Sequence, residues 1–393
     1  ASRYEKVNGV VDYAEAALGR GYAYYVAWFM TLIYYPTITS TLGWVTAQYV
    51  AILFGFPTAG MTHYWVGFGI LLADGLINAY APRLAGKLQV SATVIKLIPL
   101  ILMAVAGTIA GLSNGLTVEA FTAASAQIAS QGSGLMGAIV AFAFAYEGWI
   151  IATSINAELK DAKRNLPKAL IIGGIIIIVT YISYYVGVAG GATVDVLMND
   201  GATTAFTNIF GGVLGNILNL FIAISCIGTM NGLMLGCCRG MYSLAARNEG
   251  PKPELFRQID KVSNMPTNSA IIGLLFCAIW GTYFYLSNLA GTWSGAVAFE
   301  GTALESVPFL FDSSELPIIT IYAMYLPIFI QWMRKATDET VMRRFVIPAL
   351  AIIGSLFMVY ACIVGHGLAN LWYLIVFAVI MFIGYLFRNK SIK

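Results

Sequence analysis

Across 393 residues, hydrophobic side chains make up 59% and charged ones only 10%, with a mean hydropathy of +0.77. A soluble domain of this length carries far more charge, so the solvent for most of the surface is lipid. The small net charge of +3 implies no nucleic-acid partner, and the short alternating segments that mark a β-barrel are not seen.

Lipid offers no hydrogen-bond partners, so each apolar stretch of membrane length is expected to satisfy its own backbone as a helix. Ten spans follow one another: A Gly21–Leu53, B Tyr64–Tyr80, C Leu88–Leu112, D Ser133–Thr153, E Ala169–Gly190, F Gly212–Ala245, G Asn268–Leu289, H Pro317–Trp332, I Phe345–Val364 and J Leu371–Phe387. Spans A and F are long enough, at about 50 Å, to require tilt or projection beyond a hydrocarbon core of about 30 Å. All but Lys96 of the 22 lysines and arginines fall before A, in the B–C, D–E, F–G and H–I loops or the helix ends beside them, or after J. Every basic loop then lies on one face, which makes that face cytoplasmic and puts both ends of the chain there. The G–H loop carries Glu300, Glu305, Asp312 and Glu315 and suits the outer face.

The five cysteines, Cys226, Cys237, Cys238, Cys277 and Cys362, all fall in spans, so no extracellular disulfide framework is expected. Adjacent Cys237 and Cys238 read as small packing residues, with no histidine or carboxylate at ligand spacing. His63 and His366 stand singly at outer span ends and read as interfacial. The two long spans are five apart in order, and an offset of five inverts orientation. This suggests an inverted repeat in which A-B-C matches F-G-H. The first 20 residues, which open with Ala1, read as a cytoplasmic loop.

Four segments, in order, carry a family resemblance: VNGVVDYAEAALG entering A, PRLAGKLQVSATVIKLIPL across the B–C turn, FAYEGWIIATSINAELKDAKRNLPKAL across D and its loop, and AISCIGTMNGLMLGCCRGMYSLAARNEGPKP through F. From Asn8 to Lys393 the chain resembles the amino acid–polyamine–organocation (APC) superfamily, closest to its L-type amino-acid transporter branch and bacterial relatives. The resemblance implies an all-α polytopic membrane fold with two inverted five-helix repeats in a 12-helix chain. A then corresponds to the third helix and J to the twelfth, and the first two are absent from this sequence. One transmembrane transporter domain over 1–393 is implied, with 1–20 a cytoplasmic loop, 21–112 the remainder of the first repeat, 133–332 the second and 345–387 two further helices. The family's first helix has a Gly/Ser-rich break that receives the substrate carboxylate, and nothing here matches it. Half of the expected substrate site is therefore missing from the sequence, which predicts a chain that inserts and folds but does not catalyse coupled uptake.

Three ionisable side chains lie well inside spans, Asp74, Lys96 and Glu147. A charge at a helix centre costs roughly 2.5–3.5 kcal/mol on insertion scales, so each requires a buried partner or a function. Glu147 belongs to the run Phe144-Ala145-Tyr146-Glu147-Gly148-Trp149, where a carboxylate followed by Gly among aromatics makes a poor continuous helix and a good place for backbone to open toward a ligand. The alternative is a kinked helix with Glu147 bound to a neighbouring hydroxyl. The segment resembles the family's unwound sixth helix, which implies gating by Phe144 and capture of the substrate α-amino group by the carbonyls of Ala145, Tyr146 and Glu147. Ile150, after Trp149, stands where many L-type relatives have Asn, and favours small or apolar neutral substrates, although Glu147 could select a cationic one.

Lys96 lies about 12 Å from the cytoplasmic start of C, too deep to snorkel with ease, with Pro99 in the next turn. The resemblance implies a fifth-helix lysine that replaces a sodium ion and braces the helices, with Ser225, Gly228, Thr229 and Asn231 of F as partners. The alternative is an ion pair with Glu147 or Asp74. Asp74 reads as structural, with Asn78 at i+4 able to bond its carboxyl.

The reading that follows is a secondary amino-acid transporter, working by exchange or proton symport. Its alternative is a non-transporting sensor or accessory subunit that kept the fold. No Ser/His/Asp set, His-Glu metal motif or paired carboxylates within spans suggest an enzyme, and no cofactor or metal site is indicated. Repeated polar rings of a channel are not seen either. The oligomeric state is not set by the sequence.

Overall fold

The computed structural model describes residues 9–58, 60–129, 134–153, 161–289, 311–367 and 369–389, and all regular elements among them are helices. In chain order they are α1 (Val10–Leu18), α2 (Arg20–Phe54), α3 (Met61–Tyr80), α4 (Pro82–Asn114), α5 (Leu116–Ala129), α6 (Gly134–Ala145) and α7 (Ala162–Ala189). There follow α8 (Val194–Asp200), α9 (Ala202–Ala245), α10 (Pro253–Phe256), α11 (Thr267–Ser287), α12 (Leu316–Lys335), α13 (Met342–His366) and α14 (Ala369–Phe387).

Eight of these are long and apolar enough to cross a bilayer: α2, α4, α7, α9, α11, α12, α13 and α14. They cover predicted spans A, C, E, F, G, H, I and J. Helices α3 and α6, at predicted spans B and D, stand outside these eight. The helix for B, α3, has 20 residues but carries His63, Asp74 and Asn78, and it falls outside the eight. The helix for D, α6, has only 12 residues, about 18 Å, and stops where the carboxylate and glycine were expected to open it.

The 44-residue α9 is two helices joined at Gly211, whose φ of +77° no side-chain-bearing residue adopts readily. Span F therefore begins at Gly212, and Ala202–Phe210 is a separate piece. Within α2, residues Met30–Tyr34 form a π turn. Helix α7 starts at Ala162, before the predicted span, so Pro167 sits inside its early turns instead of starting it.

Lipid is as apolar as leucine, so helices in a membrane adhere by close packing more than by hydrophobic expulsion. The core is built accordingly from α2, α3, α9 and α11, with Phe29, Ile33, Tyr34, Met230, Met234, Cys237 and Cys277 buried in it. A Cβ on Gly273 would strike the Cys237 carbonyl, which shows how closely α9 and α11 approach. The Sγ atoms of Cys237 and Cys277 lie 3.5 Å apart as hydrogen-bonded thiols, in keeping with packing residues. Helices α4 and α7 meet backbone to backbone, since a Cβ on Gly187 would strike the Met103 carbonyl. Helix α14 docks on α2 through Trp28 Nε1 to the Ile380 carbonyl (2.9 Å) and Tyr24 OH to the Gly384 carbonyl (2.7 Å).

The segment read as a loop before A is helical over Val10–Leu18, and residues 1–8 lie outside the described residues. Asp12 and Glu15 of α1 both hold the Arg247 guanidinium at the end of α9, the latter at 2.9 Å. Arg20 bridges to Glu249 at 2.9 Å and donates to the Arg247 carbonyl. Lys335 at the end of α12 caps the last carbonyls of α1, reaching Ala16 at 3.3 Å and Ala17 at 2.8 Å. A cation at the negative end of a helix is a favourable match.

The two histidines are not solitary interfacial groups. His63 is buried, with Nε2 3.1 Å from the Trp44 carbonyl and its ring tilted against Trp44. His366 lies 2.9 Å from Glu315 across the α12–α13 ends.

Candidate functional site at the break after α6

Past Ala145 the helical ladder fails. Tyr146 N still donates to the Phe142 carbonyl (3.0 Å), but Glu147 N turns back one residue early to Phe144 (3.2 Å), and Ile151 N does the same to Gly148 (3.1 Å). Gly148 supplies the reversal with a φ of +110°, and the side where its Cβ would stand is open. No described backbone amide reaches the carbonyls of Ala145, Tyr146 or Glu147. Bare carbonyls at this depth in a membrane are tolerated only where protein or a polar cavity meets them.

The Glu147 carboxylate accepts a hydrogen bond from Tyr34 OH. Tyr34 closes the π turn of α2 and is fully buried, with Tyr35 packed edge-on at 5.5 Å. A π turn inserts one extra residue and so re-aims the side chains around it, here bringing Tyr34 to the break. From the other side comes α12: the Tyr325 ring lies 5.9 Å from Trp149 and 6.0 Å from Tyr322. Tyr325 is 5% exposed, and its hydroxyl has no hydrogen-bond partner. Tyr146 points the other way, to Tyr181 of α7 at 5.1 Å, while Ile150 is buried and Phe144 packs on the core.

Among the described residues Lys96 makes no hydrogen bond to Ser225, Thr229 or Asn231. Helix α4 is distorted at Lys96, because Pro99 has no N–H to return to Ile95. The Lys96 ammonium is half-buried and makes no hydrogen bond or ion pair among the described residues, so the alternative pairing with Glu147 or Asp74 is not formed. Gly228 of α9 meets Ala92, one turn before Lys96. Thr229 is exposed and bonds back to the Ser225 carbonyl of its own helix at 3.1 Å.

Asn231 is the member tied to α4, but lower down. Its Nδ2 donates to the Ala85 carbonyl (3.0 Å) and Gln89 Oε1 (3.1 Å), and its Oδ1 accepts from Asn78 Nδ2 at 2.9 Å. Asn78 also lies 3.4 Å from Asp74 Oδ1, so the expected i+4 contact forms as one link of a buried chain from α3 through α9 to α4. The sequence reading missed Tyr34, Tyr325 and Gln89. The signal for Tyr325 was present in Tyr322 and Tyr325, which share a helix face at i and i+3 in mid-span; nothing local marked Tyr34.

With an opened mid-membrane helix, carbonyls that no described backbone amide reaches and a ring of tyrosines in place, comparison with known proteins decides the family. The profile described as amino acid permease matches residues 1–385. The chain belongs to the amino acid permease family. This permease is 31% identical over 254 residues to the serine/threonine exchanger SteT of Bacillus subtilis, an alignment covering 63% of this chain and 56% of that protein. It is 24% identical over 380 residues to the b(0,+)-type amino acid transporter 1 of Homo sapiens, covering 95% of this chain and 72% of that one. A third relative, the large neutral amino acids transporter small subunit 2 of Rattus norvegicus, is 24% identical over 261 residues, or 65% of this chain and 48% of the other. The chain thus spans little more than half the length of the first of these. The relatives are transporters and not enzymes, and they include the L-type branch to which the four sequence segments pointed.

Proposed function

We propose that this chain forms the greater part of a secondary transporter of neutral amino acids, working by exchange or proton-coupled symport through alternating access around the break after α6. The observation that carries the reading is that no described backbone amide reaches the carbonyls of Ala145, Tyr146 and Glu147, beside the open face of Gly148. Carbonyls freed in mid-membrane suit an α-ammonium group, which offers donors and no acceptor. Neutral substrates are favoured because Glu147 already accepts from Tyr34 and because Ile150 is apolar and buried. The name of the Bacillus relative, a serine/threonine exchanger, supports small substrates of that kind.

In this reading Phe144 and Trp149 bound the pocket, and Lys96 acts as a fixed cation bracing α4 against α9 near Ser225 and Thr229. Asn231 supports the same interface from below through Gln89. Helices α2-α3-α4 and α9-α11-α12 are the inverted halves, and the basic loops put both ends of the chain on the cytoplasmic side of a plasma membrane.

Reconstitution into vesicles preloaded with serine, followed by uptake of radiolabelled serine, alanine, leucine and lysine with and without a pH gradient, tests the reading. Uptake stimulated by internal amino acid supports exchange, and uptake driven by the gradient alone supports symport. Failure of every amino acid under both conditions, in this chain and in one extended by any upstream coding sequence, rejects transport and favours the sensor or accessory role.

A further inference from the structure

We infer that Tyr325 is a specificity-determining residue whose phenolic hydroxyl recognises a hydroxyl group on the side chain of a small neutral amino acid. The inference rests on the transport reading above and names the substrate class within it.

Three observations converge on this side chain. Tyr325 is 95% removed from solvent by the standard of its 5% exposure, yet its hydroxyl bonds to nothing. A buried hydroxyl without a partner is rare in native proteins and calls for an explanation such as a ligand or ordered water. Its position supplies one. The ring packs against Trp149, the residue after Gly148, at 5.9 Å between ring centres. Tyr325 thus stands beside the break, where no described backbone amide reaches the carbonyls of Ala145, Tyr146 or Glu147.

Tyr34 OH, the other buried phenol at the break, is spent on the Glu147 carboxylate, whereas Tyr325 OH is left without a partner. A group that arrives with the substrate would complete Tyr325. A phenol both donates and accepts one hydrogen bond with ease, so its natural complement is another hydroxyl. The main-chain carbonyls would hold the α-amino group, and Tyr325, on α12, would then meet the side chain. A site built to bond a hydroxyl rejects an isostere that lacks it, because the phenol is then buried unpaired. Threonine against valine, and serine against alanine, are the pairs that such a site separates.

The test uses the native chain in vesicles, unsubstituted and as Tyr325→Phe, with radiolabelled threonine, valine, serine and alanine. The unsubstituted protein should prefer threonine over valine, and the variant should lower the threonine-to-valine ratio of kcat/KM by about tenfold, chiefly through a higher KM for threonine. In detergent, threonine should raise the Tm of the unsubstituted protein more than valine does, and the difference should vanish in the variant. An unchanged ratio, or an equal fall for all four amino acids, overturns the inference while leaving transport standing. A preference for lysine over threonine overturns it as well. If neither the unsubstituted protein nor its extension by any upstream coding sequence exchanges any of them, the transport reading fails and the inference fails with it.

Discussion

Arg247 ties α1 to the end of α9, so one substitution there tests that attachment. Its guanidinium is shared by Asp12, whose side chain is 4% exposed, and Glu15, which is 32% exposed. Arg247→Met keeps most of the side chain's length and removes the charge. Withdrawing one partner from a buried pair costs about 3–5 kcal/mol, whereas an ion pair with a third of its carboxylate in water is worth about 1 kcal/mol or less. Asp12 has further interactions of its own, so the lower figure applies. The loss should fall on α1, because α1 is attached to the bundle by these pairs and by Lys335. A cost of about 3 kcal/mol corresponds to roughly a hundredfold faster hydrogen exchange at the α1 amides, measured by mass spectrometry in detergent. Asp12→Asn should reproduce most of the effect and Glu15→Gln little of it, and the double variant Asp12→Asn/Arg247→Met should lose less than the sum. Exchange in α1 that stays within about threefold, or Glu15→Gln matching Arg247→Met, would refute the assignment of the energy to the buried pair.

Four other expectations follow from the same geometry. Gly148→Ala should lower Tm and weaken serine binding by about 1–2 kcal/mol, because the position has space but not a φ that alanine tolerates; Gly173→Ala, in the interior of α7 with equal space, should not, and similar losses at both would remove φ as the cause. Lys96→Ala should slow exchange more than it weakens substrate binding, and Glu147→Gln should flatten the pH profile of transport; unchanged profiles in both would reject proton coupling through these residues. For topology, an impermeant thiol reagent should label Thr58→Cys, which is exposed in the α2–α3 loop, on intact cells, and Val262→Cys, 96% exposed, only after permeabilisation; the reverse pattern would invert the orientation. Asp260, in the loop before α11, accepts from Ser263 N (2.7 Å), Ser263 Oγ (2.9 Å) and Val262 N (3.1 Å), which hold its carboxyl below the usual carboxylate range. A depressed folded value stabilises the turn above the unfolded value near ~3.9 and releases it as pH falls through the folded one, so an NMR titration midpoint at or above ~3.9 would contradict those bonds.

Most spans were legible because runs of apolar residues in lipid have one solution, and α12 through α14 lie close to where hydropathy put them. The break after α6 was legible too, since Glu147 and Gly148 contradict their apolar surroundings within a few residues. What escaped has a common cause, which is partners distant in the chain. Tyr34 meets Glu147 from 113 positions away, and no local pattern announces that pair. His63 looked interfacial because its acceptor is the main-chain carbonyl of Trp44, invisible in any sequence pattern. Ser313 and Ser263 lie in predicted loops yet are buried, so loop position alone does not mark an accessible site. The polarity of α1 suggested loop, since its helix is fixed from outside by Arg247 and Lys335. Lys96 was grouped with Asn231 through the family resemblance, and Asn231 is occupied by Gln89, two turns before Lys96 on α4.

The wide turn at Met30–Tyr34 gives α2 an unusual tolerance. In an ordinary helix, losing one residue rotates everything beyond it by about 100° and trades the packed face for the lipid face. Here one residue is already surplus to the α-helical repeat. Deleting one residue at this point would keep Ser40 in register with Cys277 of α11 and Trp44 with His63 of α3, and would forfeit the re-aimed tyrosine. A deletion there would act on the segment that faces Glu147 while the scaffold beyond it is spared.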